Sequence, residues 1–220
     1  MIVTIDGPAG SGKSTAARTL ATQLGYRFLD TGAMYRSFAL ACLEQKISLE
    51  DVPTVAKVCA ASNLEMKDGA FFLNGNDVSQ AIRTPEVTHA ASIVAAYPEV
   101  RCLIVPIQRK IASAKNIVAE GRDQGTVVFP DAECKFFLTA SIEARAQRRY
   151  QEQIEKGQTT SLAELQQKIS DRDGRDQNRE HSPLFPAEDA MQIDTTNHSI
   201  EEVLELMEKK IAEVRAASEQ

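Results

Sequence analysis

Met1-Ile2-Val3-Thr4-Ile5-Asp6-Gly7-Pro8-Ala9-Gly10-Ser11-Gly12-Lys13-Ser14-Thr15 opens the chain and contains a strand, a glycine-rich turn and the start of a helix. The apolar run ends at Asp6, too short and without the basic flank of a signal peptide or a spanning helix, and reads as a buried first strand. From Gly7 the spacing is G-x-x-x-x-G-K-S, the phosphate-cradling P-loop pattern. Glycines there let consecutive backbone N–H groups turn toward one anion, and the helix N-terminus adds positive potential at the same point. Residues Gly7, Pro8, Ala9, Gly10, Ser11, Gly12, Lys13, Ser14 and Thr15 are therefore the predicted nucleoside triphosphate site. Lys13 is expected to reach the β- and γ-phosphates, Ser14 to hold Mg²⁺, and the Thr15 hydroxyl to support the α-phosphate.

Outward from this motif, hydrophobic periodicity alternates between strand and helix. Strands are predicted at 1–6, 26–29, 116–119, 135–138 and 191–194. Helices are predicted at 13–24 (closed by Gly25), 32–45, 50–62, 84–96, 98–115 and 199–216. Residues 141–180 form a charged helical region with a break near Gly157. Residues 63–79 depart from the pattern, with turns at Lys67-Asp-Gly69 and Asn74-Gly75 flanking Phe71-Phe-Leu73, and read as a small inserted β-hairpin. Such alternation implies βαβ units and a parallel sheet covered on both faces.

Composition narrows the function. The chain has 220 residues and a net charge of −6, which argues against a general binder of nucleic-acid polymers, since that task needs a basic face. Cys42, Cys59, Cys102 and Cys134 are widely separated, form no C-x-x-C pair, and read as small core residues of a reduced, cytoplasmic protein. His89, His181 and His198 have no metal-ligand spacing.

Among P-loop proteins, the absence of an N-K-x-D motif removes the guanine-specific class, and the remaining length leaves no room for a motor apparatus. Arginines then dominate the reading. Arg145, Arg148 and Arg149 share one predicted helix, and Arg172, Arg175 and Arg179 recur at i, i+3 and i+7, which would place three guanidinium groups on one helical face. Phosphoryl transfer spreads negative charge over equatorial oxygens, and a planar guanidinium binds phosphate through two parallel hydrogen bonds. A salt-bridged solvated face is the competing reading, because Arg172 and Asp176 are an i, i+4 pair. A monophosphate acceptor is already anionic near neutral pH and needs cations rather than a protein base.

Ile5-Asp-Gly-Pro8, Leu29-Asp-Thr-Gly-Ala-Met-Tyr-Arg36, Ala90-Ala-Ser92-Ile-Val-Ala-Ala, Glu120-Gly-Arg-Asp123-Gln-Gly-Thr-Val-Val-Phe-Pro-Asp131 and the 172–179 segment occur in order. Together they resemble the bacterial cytidylate kinase family. The resemblance implies a P-loop NTPase α/β fold, a five-stranded parallel sheet flanked by helices, a monophosphate-binding insert and a helical lid. It assigns 1–30, 106–147 and 180–220 to the core, 31–105 to the monophosphate-binding domain with the hairpin, and 148–179 to the lid. It implies Arg36 and Arg122, with Arg179, as the grip on the CMP phosphate, and Ser92, Arg101 and Asp123 as cytosine readers. Arg172 and Asp176 resemble the pair that approaches the sugar. Arg145, Arg148, Arg149 and Arg175 resemble the arginines of the lid and its hinges, Arg149 serving ATP.

Lys13, Arg122, Arg172 and Arg179 are then the expected catalytic cations, with ATP, CMP or dCMP as small-molecule partners, Mg²⁺ as cofactor, and no polymer, membrane or second subunit. Two readings compete with this one: a P-loop kinase for UMP or a small-metabolite hydroxyl, and a nucleotide-binding regulatory module without catalysis. Gln124, where the family carries an apolar residue, and Thr31, where some members carry serine, depart from the pattern without touching a proposed charge contact. Glu120, at a strand end, is a candidate to orient magnesium-bound water.

Overall fold

A computed structural model of the chain describes residues 1–67, 69–113, 116–155 and 157–218. The strands are β1 (Ile2–Asp6), β2 (Arg27–Asp30), β3 (Leu64–Lys67), β4 (Ala70–Leu73), β5 (Asn76–Asp77), β6 (Ile117–Gly121), β7 (Cys134–Thr139) and β8 (Met191–Asp194). The helices are α1 (Lys13–Leu24), α2 (Thr31–Glu44), α3 (Val52–Ala61), α4 (Pro85–Val94), α5 (Pro98–Ala112), α6 (Ile142–Glu155), α7 (Leu162–Gln177) and α8 (Ile200–Ser218). The chain divides into two units, one of residues 1–28 and 115–220, the other of residues 29–114. No single described helix is long and apolar enough to cross a membrane.

The first unit is organised by a five-stranded parallel sheet of order β2-β6-β1-β7-β8, flanked by helices. Central β1 is buried on both faces, which is why it reads as a continuous apolar run. Its register sets Val3 beside Val118 and Cys134, and Ile5 beside Glu120 and Phe136. Ala16, Ala17 and Leu20 of α1 and Val203, Met207 and Ile211 of α8 complete a core with Val3, Ile5, Val118, Phe136 and Leu138. Gly25 ends α1 in a left-handed conformation (φ 67°), with Tyr26 N–H donating to Ala21 O at 2.8 Å. This sheet delivers the ends of β1 and β6 side by side, Asp6 opposite Gly121, and so fixes the loops that follow them.

The second unit is mostly helical and uses sequence-encoded caps. Asp30 accepts from Ala33 N–H at the start of α2, Asp51 from Thr54 N–H at α3, and Thr84 from Val87 N–H at α4, where Pro85 occupies the first turn. Residues 64–77 form a three-stranded antiparallel sheet rather than the predicted two-stranded hairpin, since β5 adds Asp77 opposite Phe72. The turn at Lys67-Asp-Gly69 includes residue 68, and the predicted helix over 98–115 includes residues 114–115; these three lie outside the described residues.

The charged 141–180 region is two helices, α6 and α7, on either side of the break expected near Gly157, and Ser161 caps the second by accepting from Glu164 N–H at 3.2 Å. Two sequence expectations need correction. Arg179 does not extend the helical face of Arg172 and Arg175, because α7 ends at Gln177 and Asn178 caps it. Cys102 is exposed, whereas Cys42, Cys59 and Cys134 are buried. The buried positions of α5 are Val100, Arg101, Ile104, Gln108 and Ala112, and Cys102 falls off that face.

Candidate functional site

In the first unit, the loop between β1 and α1 turns through left-handed backbone at Gly10 (φ 80°) and Gly12 (φ 85°). At Gly7 space decides the residue type, since an added Cβ would lie 2.1 Å from the Leu138 carbonyl oxygen. Lys13, the first residue of α1, is buried and reaches back across the loop to donate to Pro8 O at 3.0 Å. Burial, with the nearby Arg122 and Arg172, lowers its pKa to about 7, against the opposing pull of Glu120 and Asp176. Ser14 Oγ donates to Glu120 Oε2 at 2.5 Å, so a hydroxyl and a carboxylate stand together at the C-terminal end of β6. Ser14 and Thr15 are exposed, Ser11 is buried.

Beyond β6 the chain places Arg122 and Asp123 in consecutive positions. Arg122 Nε donates to Asp176 Oδ2 at 2.8 Å, and its Nη1 to Gly121 O at 3.1 Å. Asp176 also pairs with Arg179 and lies 3.9 Å from Arg172 Nε. One buried carboxylate thus gathers three arginines from separate parts of the sequence, and their separate expectations become one cluster. Burial alone would raise the pKa of Asp176, but Arg122, Arg179 and Arg172 overcome it and hold the carboxyl at about 2. Asp176 is thus shared by three guanidinium groups, and Glu120 and Asp173 also act on Arg122.

Asp123 is almost fully buried and begins a single wide helical turn over Gln124–Val128, its carbonyl accepting from Val127 and Val128 N–H. The turn is anchored by a residue given no role from the sequence. Asp6, at the end of β1, accepts from Gln124 N–H at 2.9 Å and Gly125 N–H at 2.8 Å. Burial pushes the Asp6 carboxyl up to about 7 despite those two donors. Its signal lay in the quoted Ile5-Asp-Gly-Pro8 string, at the strand end where ligand-positioning groups collect.

The remaining arginines of this unit divide by role. Arg145 is buried, donating to Ala9 O at 3.1 Å, Ala140 O at 2.9 Å and Asp173 at 2.5 Å, and so ties the glycine-rich loop to α7. Arg148 donates to Thr195 Oγ1 at 3.1 Å, to Thr195 O and to Gly10 O. Arg149 is exposed and pairs with Glu152 at 2.8 Å, and Arg175 is exposed. Beside the loop is a cavity of about 170 Å³ lined by Gly12, Thr15, Leu138, Arg148, Thr195 and His198. Thr195 and His198 follow β8, again a strand end; Thr195 was not named from the sequence and His198 was given no chemistry there.

In the second unit, Arg36 Nη2 donates to both oxygens of Asp30, at 3.2 and 3.0 Å. Ser92 on α4 is buried and donates to His89 O at 2.8 Å. Arg101 on α5 is buried, donates to Ala95 O at 3.4 Å and lies over the Tyr35 ring at 5.7 Å. A buried arginine on an aromatic face is an expensive arrangement for a mere solubility residue. The expected acceptor residues are thus shared out, with Arg36, Ser92 and Arg101 in the second unit and Arg122, Asp123, Arg172, Asp176 and Arg179 in the first.

Comparison with known proteins adds an independent observation. Residues 3–213 match the profile of the cytidylate kinase family. A cytidylate kinase from Caldanaerobacter subterraneus subsp. tengcongensis is 49% identical over 203 residues, covering 92% of this chain and 91% of that protein. A cytidylate kinase from Bacillus cereus is 47% identical over 207 residues, with 92% of each chain covered. In structure the chain is similar to shikimate kinase from Bacteroides thetaiotaomicron (TM-score 0.50, 12% identity, 96% and 98% of the two chains). It is also similar to an uncharacterized protein from Eubacterium ventriosum (TM-score 0.52, 14% identity, 96% and 98% covered). At those identities the structural likeness speaks for the fold.

Proposed function

The chain belongs to the cytidylate kinase family, and on that premise we propose that it transfers the γ-phosphoryl group of ATP to CMP or dCMP, giving ADP and CDP or dCDP. The observation that carries the mechanism is the cluster of Arg122, Arg172 and Arg179 around Asp176, in the same unit as the buried Lys13. An oxygen of the acceptor phosphate attacks the γ-phosphorus in line, the new O–P bond forms as the bridge to the β-phosphate breaks, and ADP leaves with the bridging electron pair. The acceptor oxygen is already anionic at neutral pH, so no protein group need remove a proton. The work left to the protein is positioning and charge neutralisation.

Each residue then has a role. Residues 7–15 hold the donor phosphates, with every backbone N–H but that of Pro8, which has none, available to the cradle; Lys13 reaches the transferred group, and Arg149 serves ATP from α6. Arg36 and Arg122, with Arg179, hold the acceptor phosphate. Ser92, Arg101 and Asp123 read cytosine, whose N4 amino group suits a carboxylate and whose N3 and O2 acceptors suit a guanidinium and a hydroxyl. Arg172 and Asp176 approach the sugar, and residues 148–179 close over ATP and exclude water. The residues present fit Mg²⁺, since the Ser14 hydroxyl and the Glu120 carboxylate are hard oxygen donors 2.5 Å apart. Ser14 would hold the ion, with Glu120 orienting its water, and the chemistry supplied by bound Mg²⁺ is neutralisation of charge on the phosphate oxygens. In this reading the protein is a cytoplasmic monomer acting on free nucleotides.

A coupled ADP-release assay with ATP and each of CMP, dCMP, UMP, AMP and GMP tests the proposal. Turnover is expected with CMP and dCMP. Activity confined to another monophosphate would overturn the acceptor, and no turnover with any of them would overturn the transfer.

A further inference from the structure

From the Asp30 environment we infer that Arg83 is a further ligand of the acceptor phosphate. This rests on the reading of Arg36 as a phosphate grip. Arg36 Nη2 lies 3.0 Å from Asp30 Oδ2, so its charge is met by a carboxylate that is itself nearly buried. A guanidinium neutralised in this way is a poor anchor for a dianion, because the approaching phosphate also meets the negative charge of Asp30. Arg83 changes that balance. Its Nη1 lies 3.1 Å from the same Oδ2, making the group two cations to one anion, while its side chain remains 47% exposed.

The shared oxygen also fixes the spacing of the two arginines. Nitrogens held at 3.0 and 3.1 Å from one atom lie within about 6 Å of each other. A single phosphate accepting from both at about 2.9 Å can bridge that gap. Asp30 is placed to hold them because it is fixed independently, accepting from Ala33 N–H at 2.8 Å as the cap of α2. Burial would raise its pKa, but Arg36 and Arg83 outweigh burial and keep the carboxyl below its usual range, so it remains ionised. Arg83 itself sits at the end of a short 3₁₀ turn, one residue before Thr84 caps α4, on defined rather than loose backbone. It was not singled out from the sequence, since an exposed arginine in a turn reads as a surface charge.

The test compares CMP with cytidine, which lacks the phosphate, as titrants of the intact wild type and of Arg83→Ala, Arg83→Lys and Arg36→Ala. Loss of a charged donor to the phosphate is expected to weaken CMP about tenfold or more in Arg83→Ala, with cytidine changed less than about twofold. Arg83→Lys, which restores the charge without the planar fork, should recover part of the CMP affinity. An equal loss for CMP and cytidine would make Arg83 a structural brace for Asp30 and overturn the inference, as would no loss at all. If Arg36→Ala leaves the ratio of CMP to cytidine affinity at the wild-type value, the failure lies in the reading of Arg36. If Arg36→Ala compresses that ratio and Arg83→Ala does not, Arg83 alone is rejected.

Discussion

Replacing Asp176 by asparagine keeps the shape of the side chain and removes the one negative charge that Arg122, Arg179 and Arg172 share. The cost can be bounded in two ways. The carboxyl is 1% exposed and its pKa falls from 3.8 to about 2 in the folded protein. At 1.36 kcal/mol per unit, that shift corresponds to about 2 kcal/mol of stability at neutral pH. Leaving buried guanidinium groups without their counter-charge raises the bound, since breaking a buried pair costs about 3–5 kcal/mol. A loss of about 2–5 kcal/mol in a chain of this length lowers the melting temperature by roughly 5–15 °C.

The pH dependence separates this cause from simple mispacking. A depressed carboxyl pKa contributes stability that is complete above the unfolded value, near pH 4, and is lost as pH falls through about 2. Thermal melts of wild type and Asp176→Asn should therefore differ by a constant amount from pH 5 to 8. The gap should narrow as the pH is taken below 4, because the wild type loses the charge that the variant never had. Equal melting temperatures at pH 7, or a gap that stays constant to the lowest pH at which both proteins fold, would refute the electrostatic account of this cluster.

Three further outcomes follow from the same geometry. Lys13→Met should leave the melting temperature near the wild-type value, since methionine fills the buried stem, while kcat falls by about 10²–10³ or more in the coupled assay. Asp123→Ala should reduce the preference for CMP over UMP in kcat/KM with little change in the KM for ATP; equal losses for both substrates would remove Asp123 as a base reader. Asp6→Asn tests the anchor of the 124–128 turn. Because the Asp6 pKa is raised to about 7, wild-type stability should decline as pH rises from about 4 to 7, and chemical denaturation should show that decline flattened in the variant.

What the sequence made legible, and what it did not, divides along the line between local and paired information. The β1–loop–α1 unit is written in consecutive residues, with left-handed backbone at Gly10 and Gly12, so strand, turn and helix start could be read together. The caps at Asp51, Thr84 and Ser161 are equally local. Arginine partners are not. Arg122 meets Asp176 across 54 positions, and Arg145 meets Asp173 across 28, so no spacing rule could separate a phosphate-facing arginine from a structural one. Arg145, Arg148 and Arg149 looked alike on one predicted helix. In the folded chain the first is a buried tie, the second a latch on Thr195, and the third an exposed side chain paired within its own helix.

Counting arginines also overstated the charge facing an anion. Asp176 holds three of them and Asp30 two, and these carboxylates keep the cations together. A site of arginines alone would pay their mutual repulsion in the folded chain, whereas a carboxylate in each cluster offsets that repulsion. In the proposed anion site, strand-end aspartates and aspartates one turn from an arginine therefore count as much as the arginines themselves. Their spacing carries that meaning only once the fold has placed them.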